Sequence, residues 1–308
     1  MNVHSTKPRF GAPALTHLPL LHQGKTRDSF ALADGHRLVV ATNRISTHDI
    51  VHQSMIELKG EVLTALTVFW LLFLEKRLGI KHHLVAYGRG IYTYLPGKPS
   101  DYPLDLHLYA IVVVEKEMIP IEFIVRNFLA GSLDSKYYAL GKENPYGIIL
   151  PKGMQHMQRF AEPISTPTDK TEDGDPPRNS QEIATLYPVA TNLVMSITAL
   201  ATKYLEGRGI ALIDHKCECT VDGWLADEAL TPDSSRFCYM SDVRAGSTPP
   251  FLDKQIARDE AVRLWAGGER VPLVFSSCIR QELTRTYTKV FEEITGMSLV
   301  KFQTQYLS

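Results

Sequence analysis

The chain lacks any apolar run long enough to cross a bilayer: its most hydrophobic stretch, Val62 to Leu74, is short and is interrupted by Thr64 and Thr67. It has little cysteine. Four residues, Cys217, Cys219, Cys238 and Cys278, in a chain of 308 do not make a disulfide framework. It also lacks a charge imbalance, since 33 Lys and Arg against 34 Asp and Glu leave a formal net charge of -1. A balance so close to zero argues against an electrostatic nucleic-acid binder, although a few basic residues in a cleft suffice for anionic substrates. The first ten residues, MNVHSTKPRF, contain no apolar segment and so predict no secretory signal. These absences leave a cytoplasmic protein of enzyme size, a monomer or small homo-oligomer, with neither nucleic acid nor membrane as partner.

What is present is ordinary globular composition, 44% hydrophobic and 22% charged. The length exceeds what one core comfortably fills, so two lobes around a cleft are expected. Val-rich runs of strand length, Leu38 to Thr42 and Tyr109 to Val114, flank one helical pattern, Glu61 to Lys76, which Gly60 opens. Beyond about Pro120 the texture changes. A helix is expected near Glu122 to Phe128, then Ala130-Gly131-Ser132, then a polar segment from Pro163 to Asn179 that reads as a surface loop or lid. Helical patterns return at Thr191 to Glu206, Lys254 to Ala266 and Ile279 to Ile294. The expected architecture is α+β, with a β-rich N-terminal lobe over residues 1–119 and a larger α+β lobe over 120–308.

The most informative segment is GIALIDHKCECTVDGWLADEALTPDSS, residues 209–235. Asp222-Gly223 is a strong two-residue hairpin signal. If that pair forms the loop, Val221 faces Trp224 and antiparallel register sets Glu218 opposite Asp227. Alternation along the strand puts Asp214, Lys216 and Glu218 on one face and His215, Cys217 and Cys219 on the other. Directly opposed carboxylates have Cβ atoms roughly 5 Å apart and repel unless a cation lies between them or one is protonated. A divalent metal is the economical solution, and an all-oxygen donor set suits Mg²⁺ better than zinc. The alternatives are a solvated hairpin face whose acids point into water, or a longer turn that shifts the register. Cys217 and Cys219, without a second spaced pair, read as buried packing rather than a zinc site.

Other polar groups follow the expected strands. Gly24-Lys25-Thr26-Arg27-Asp28 is a turn that could bring an ammonium and backbone amides to a phosphate, without the spacing of a Walker motif. Asn43-Arg44-Ile45-Ser46-Thr47-His48-Asp49 is a polar run after a strand, where ligand contacts often sit. Arg126 precedes the small residues at 130–132, and Arg236 follows the hairpin. Lys254 opens a helix with Arg258 one turn later on the same face.

In this order and spacing the segments resemble the SAICAR synthetase family. The matching blocks are GKTRD at 24–28, ATNRIS at 41–46, KGEVLT at 59–64, IEFIVRNFLAGS at 121–132 and EPISTPTDK at 162–170. They continue with LIDHKCE at 212–218, LADEALTPDSSRF at 225–237 and DKQIARDE at 253–260. The resemblance implies a two-lobed α+β fold with ATP between the lobes, and a ligase joining the carboxylate of carboxyaminoimidazole ribonucleotide to the amine of L-aspartate. It implies ATP contacts at Lys25, Arg27, Asp214 and Lys216, with Val114, Glu115 and Met118 in a hinge against adenine. Lys25 and Lys216 become the catalytic pair, Glu218 and Asp227 the Mg²⁺ ligands. Arg44, Ser46, Asp49, Lys59, Arg126, Ser132, Arg236, Lys254 and Arg258 become substrate contacts.

The chain departs from the family pattern at three places. The usual ATDRISAFD carries Asn43, Thr47 and His48 here; Cys217, Cys219 and Thr220 replace phenylalanines and a glycine; GWKEY after AGS becomes Leu133-Asp134-Ser135-Lys136-Tyr137. A related azole carboxylate is therefore an alternative acceptor. A non-catalytic nucleotide binder and a kinase that stops at phosphoryl transfer are the other readings.

Overall fold

A computed structural model describes residue 15, residues 17–171 and residues 174–308; the N-terminal decapeptide lies outside them. Five strands open the chain: β1 (Leu20–Gln23), β2 (Arg27–Ala31), β3 (His36–Ala41), β4 (Arg44–Thr47) and β5 (Ile50–Met55). Helix α1 (Lys59–Leu78), strand β6 (Leu84–Tyr87), the one-turn helix α2 (Leu106–Tyr109) and β7 (Ala110–Val114) follow. Next come β8 (Ile121–Phe128), β9 (Arg159–Ser165), β10 (Thr168–Asp169), α3 (Ser180–Leu186) and α4 (Pro188–Glu206). The chain ends with β11 (Ile210–Cys219), β12 (Leu225–Ala226), β13 (Ser235–Tyr239), α5 (Gln255–Trp265), α6 (Ser277–Thr295) and α7 (Leu299–Phe302). This is an α+β fold. Among the described residues no single helix is long and apolar enough to cross a membrane.

The chain divides into two compact units. The first contains the described residues up to Val68, then Leu84–Glu115 and Lys254–Ser308; the second contains Phe69–His83 and Lys116–Asp253. The sequence expectation divided the chain once, at 119/120, and left the last 55 or so residues with the second lobe. The C-terminal helices instead belong with the N-terminal strands, a long-range choice that no local pattern records.

In the first unit an antiparallel sheet runs β1-β2-β3-β7-β6, and β4 and β5 form a separate hairpin. Leu38, Val40, Ala110 and Val112 bury one face of that sheet, as alternation along β3 and β7 requires. Asn43 Oδ1 accepts the amide of Gly60 at 2.9 Å, satisfying one of the unpaired donors at the start of α1. An Asn does this as well as the Asp of the family pattern, which accounts for that departure structurally.

In the second unit β11 is the central strand, antiparallel to β8, β12 and β13, while β9 and β10 pair with β8. Two expectations change here. Residues 122–128 are strand, not helix: β8 is buried along nearly its whole length, with Glu122 and Arg126 enclosed as well as its apolar residues, so the alternation of a half-exposed strand is missing from the sequence. The Pro163–Asn179 segment is not a free loop. It supplies the end of β9 and all of β10, Thr166 is fully buried, and Asn179 caps α3 through the amides of Gln181 and Glu182.

Candidate active site

The second unit's site is written on one face of β11. Asp214 lies opposite Arg126 of β8 and Arg236 of β13, so three adjacent strands carry a row of guanidinium, carboxylate and guanidinium. Arg126 Nη1 donates to Asp214 Oδ2 at 2.6 Å, and Arg236 Nε donates to Oδ1 at 2.9 Å. Arg126 also donates to Thr166 Oγ1 at 2.9 Å and to Ser132 Oγ at 3.2 Å. Arg126 and Asp214 are buried, with Arg126 4% exposed, and Arg236 is partly buried. Burial pulls the Arg126 guanidinium below its usual range, with Asp214 opposing and Arg236 adding to the drop. Burial also acts against Arg236, but the Asp214 charge and hydrogen bond overcome it and leave that group raised. Asp214 accepts from both guanidinium groups, and the charge of Asp253 also acts on Arg236. Gly131, at φ +61°, leaves the space that Arg236 fills: a Cβ there would lie 2.2 Å from Nη2.

One pleat repeat further on, Lys216 makes an ion pair with Glu122 of β8 and lies 4.0 Å from Glu218. Burial opposes its charge, yet Glu122 and Glu218 together push the ammonium above its ordinary range. Glu218, 5% exposed, is paired with Lys170 from the segment after β10. Its carboxyl is raised, first by burial and next by the charge of Asp227, against the pull of Lys170 and Lys216.

The two acids meet by a route other than the expected one. Glu218 pairs with Ala226 and Cys219 with Leu225, one residue off the predicted register. The loop has three residues, Val221-Asp222-Gly223, closed by the Thr220 amide on Trp224 O at 3.0 Å, with Gly223 left-handed at φ +82°. That is the three-residue hairpin ending in a left-handed glycine, not the two-residue turn. Asp227 leaves the strand in a left-handed conformation of its own, φ +55°, and this brings its carboxylate into the electrostatic reach of Glu218 and Lys216.

The opposite face of β11 is structural. His215 Nε2 is 2.7 Å from Thr198 Oγ1 of α4, and its Nδ1 is 3.4 Å from Cys217 Sγ. Burial lowers His215 to about 4 and raises the thiols of Cys217 and Cys219, as befits a neutral packing layer. Among the described residues no group of three or more His, Cys, Asp or Glu is placed to hold a metal ion. A metal at Glu218 and Asp227 would therefore have two protein carboxylates. That donor set fits Mg²⁺, which keeps waters and takes substrate phosphate oxygens in its remaining positions. The raised carboxyl of Glu218 marks a pair that two lysines leave incompletely neutralised.

In the first unit, Lys25 sits in the turn between β1 and β2, half-exposed, with its ammonium on the carboxylate of Asp49. Arg44 lies beneath that turn at 2% exposure. It donates to both oxygens of Asp28, the longer bond 3.0 Å, and to Gly24 O at 3.0 Å. Arg44 is thus a brace for the Lys25 turn. Ser46 is 6% exposed, and Lys59 is fully buried with its ammonium 5.5 Å from the Tyr287 ring centroid. These three expected substrate contacts are enclosed within the first unit. Arg27 pairs with Ala41 in the sheet, Val114 ends β7, and Glu115 is held low by its hydrogen bond from Arg37. Met118, in the second unit, is exposed and bridges to Thr220. Lys254 and Arg258, at the start of α5, act electrostatically on Asp49 and His48 respectively.

Glu122 and Lys170 were not singled out from the sequence, though both lie in the matching blocks at 121–132 and 162–170. Their signal was an acid in β8 and a base just after β10, with partners the sequence did not record.

A family model described as SAICAR synthetase matches residues 20–272. The chain is 34% identical over 299 residues to a phosphoribosylaminoimidazole-succinocarboxamide synthase of Saccharomyces cerevisiae, covering 91% of this chain and 95% of that one. It is 36% identical over 304 residues to the synthase of Thioalkalivibrio sulfidiphilus, at 92% and 97% coverage. Among solved structures, the Saccharomyces cerevisiae SAICAR synthase complexed with SAICAR superposes with a TM-score of 0.82 at 30% identity, covering 96% of this chain and 99% of that one. With its carboxylates, lysines and paired arginines set along one central strand, the chain belongs to the SAICAR synthetase family and is a carbon–nitrogen ligase.

Proposed function

We propose that this protein uses ATP and Mg²⁺ to join the carboxylate of carboxyaminoimidazole ribonucleotide to the amine of L-aspartate, a cytoplasmic step of purine synthesis. The observation that carries this reading is the β11 face: an anion-binding row at Asp214 continues, two and four residues on, into a lysine and an acid pair.

The chemistry asks for two things. A carboxylate is a poor electrophile, so one of its oxygens first takes the terminal phosphoryl group of ATP and ADP leaves. The amine of aspartate then attacks the acyl carbon, phosphate departs, and the amine loses a proton. No protein nucleophile is needed; positioning and charge neutralisation suffice. Glu218 and Asp227 would hold Mg²⁺, which when bound offsets phosphate charge. Lys216 presents an ammonium that Glu122 and Glu218 keep fully charged. In the first unit, Lys25, half-exposed on its turn, offers an ammonium to an anion once it exchanges Asp49 for the ligand. Arg126 and Arg236 both bond Asp214, and Ser132 extends the same row, so a substrate anion would meet two guanidinium groups there.

Purified protein incubated with Mg²⁺-ATP, aspartate and carboxyaminoimidazole ribonucleotide should yield ADP, phosphate and the succinocarboxamide in equal amounts. Phosphate release that does not need the amine would instead identify a kinase. Turnover only with a related azole carboxylate would move the assignment to that acceptor.

A further inference from the structure

Asp134, His156 and Thr248 come from three separate segments of the second unit, and none has a part in the ligase chemistry above. Asp134 lies in a single helical turn, Leu133–Tyr137, that begins directly after Ser132. His156 precedes β9, and Thr248 lies between β13 and α5. Asp134 Oδ2 is 2.6 Å from His156 Nδ1, and His156 Nε2 is 3.0 Å from Thr248 Oγ1. A carboxylate only accepts, so the ring hydrogen sits on Nδ1, and the bare Nε2 accepts the hydrogen of the threonine hydroxyl.

Hydroxyl, imidazole and carboxylate in that order, each within hydrogen-bond reach of the next, are the parts of an activated nucleophile. Exposure follows the same order. Thr248 is exposed, the His156 side chain is 31% exposed, and the Asp134 side chain is 11% exposed. The hydroxyl is open to a small molecule while the orienting acid is shielded from water. Backbone bonds hold the segments in place: Met157 N donates to Leu129 O at 2.8 Å, and Gly246 N donates to His156 O at 2.7 Å. Pro249 and Pro250 stiffen the chain directly after Thr248. Asp134 stands where the family pattern has Trp, so the carboxylate of this array belongs to this chain.

We propose that Thr248, His156 and Asp134 form a second catalytic site, a threonine nucleophile that cleaves small activated carboxylic esters. Thr248 Oγ1 bonds the ester carbonyl carbon as its proton passes to His156 Nε2. The carbon–oxygen bond to the alcohol breaks, and the departing oxygen takes that proton from the imidazolium. Water, giving a proton to Nε2 in the same way, then releases the acid and restores the hydroxyl. Asp134 keeps its charge throughout and stabilises the imidazolium.

The test uses p-nitrophenyl acetate, with nitrophenol release followed by absorbance and the quenched protein mapped by mass spectrometry. Wild type should hydrolyse the ester above the buffer rate and carry an acetyl group on Thr248. Thr248→Val keeps the shape without the hydroxyl, and it should lower the protein-dependent rate about 10²-fold or more. His156→Gln should do the same, whereas Thr248→Ser should retain the activity. Asp134→Asn can donate to Nδ1 and so turn the ring hydrogen to Nε2, which should also abolish the rate. A wild type no faster than buffer, or a rate that Thr248→Val leaves unchanged, overturns the proposal. Neither result bears on the ligase assay, since that reading uses none of the three residues.

Discussion

Replacing Glu218 with Gln should abolish turnover and yet stabilise the ligand-free protein. Glu218 is raised by burial and by Asp227, and Lys170 and Lys216 compensate only in part. An acid whose folded pKa lies above its unfolded value binds its proton more tightly when folded. Its ionisation therefore costs stability as pH climbs above about 4.5. Gln keeps the shape and removes that cost. It also removes the ion pair with Lys170, whose side chain is 51% exposed; such a pair contributes at most about 1 kcal/mol. Relief of a functional charge conflict commonly yields about 0.5–2 kcal/mol, so a net gain of about 1 kcal/mol is expected at pH 7. In a unit of roughly 150 residues that is about 2–4 °C in Tm. The difference should close as pH falls below about 4.5, where Glu218 is protonated in both states. Mg²⁺-ATP should reverse the order, because a ligand at 100 times its Kd stabilises the wild type by about 2.7 kcal/mol and the variant by much less. Thermal denaturation at pH 5 and pH 7, with and without Mg²⁺-ATP, measures each limb. A variant less stable than wild type without ligand, or one that still forms ADP at the wild-type rate, would refute the reasoning.

Three further outcomes are expected. Asp214→Asn leaves Arg126 and Arg236 buried against each other, so it should cost about 3–5 kcal/mol in urea denaturation; a loss under 1 kcal/mol would show that the row is not charge-coupled. Lys216→Met should lower kcat by about 10²- to 10³-fold in an ADP-release assay, and an unchanged kcat would remove Lys216 from the phosphate site. His215, lowered to about 4 by burial, is neutral when folded but protonates below about 6.5 when unfolded. Stability should therefore fall by about 3 kcal/mol as pH drops from 6.5 to 4, and His215→Gln should flatten that limb even if it is less stable at pH 7.

The family was legible in motif blocks that resemble it in order and spacing, and the grouping of residues on the β11 face in local periodicity. A strand alternates every second residue whatever its neighbours, so Asp214, Lys216 and Glu218 had to share one face and His215 and Cys217 the other. Helices α4, α5 and α6 were equally legible, since their amphipathic repeats are written within a single segment. Tertiary structure decided the rest. Strand β8 hid its period because neighbours cover both of its faces. Arg44 stands out in a polar run and Lys59 in a block that resembles the family's, but burial is a property of the surroundings, and both are enclosed in the folded chain. The hairpin register turned on whether Gly223 closes a two- or three-residue loop, a difference of one residue that local sequence leaves nearly balanced. Asp227, in the electrostatic reach of Glu218, has a left-handed backbone that the hairpin pattern does not announce. Sequence alone fixed which groups a strand can present together; only the folded chain decided what stands opposite them, because pairing and burial depend on residues far away in the chain.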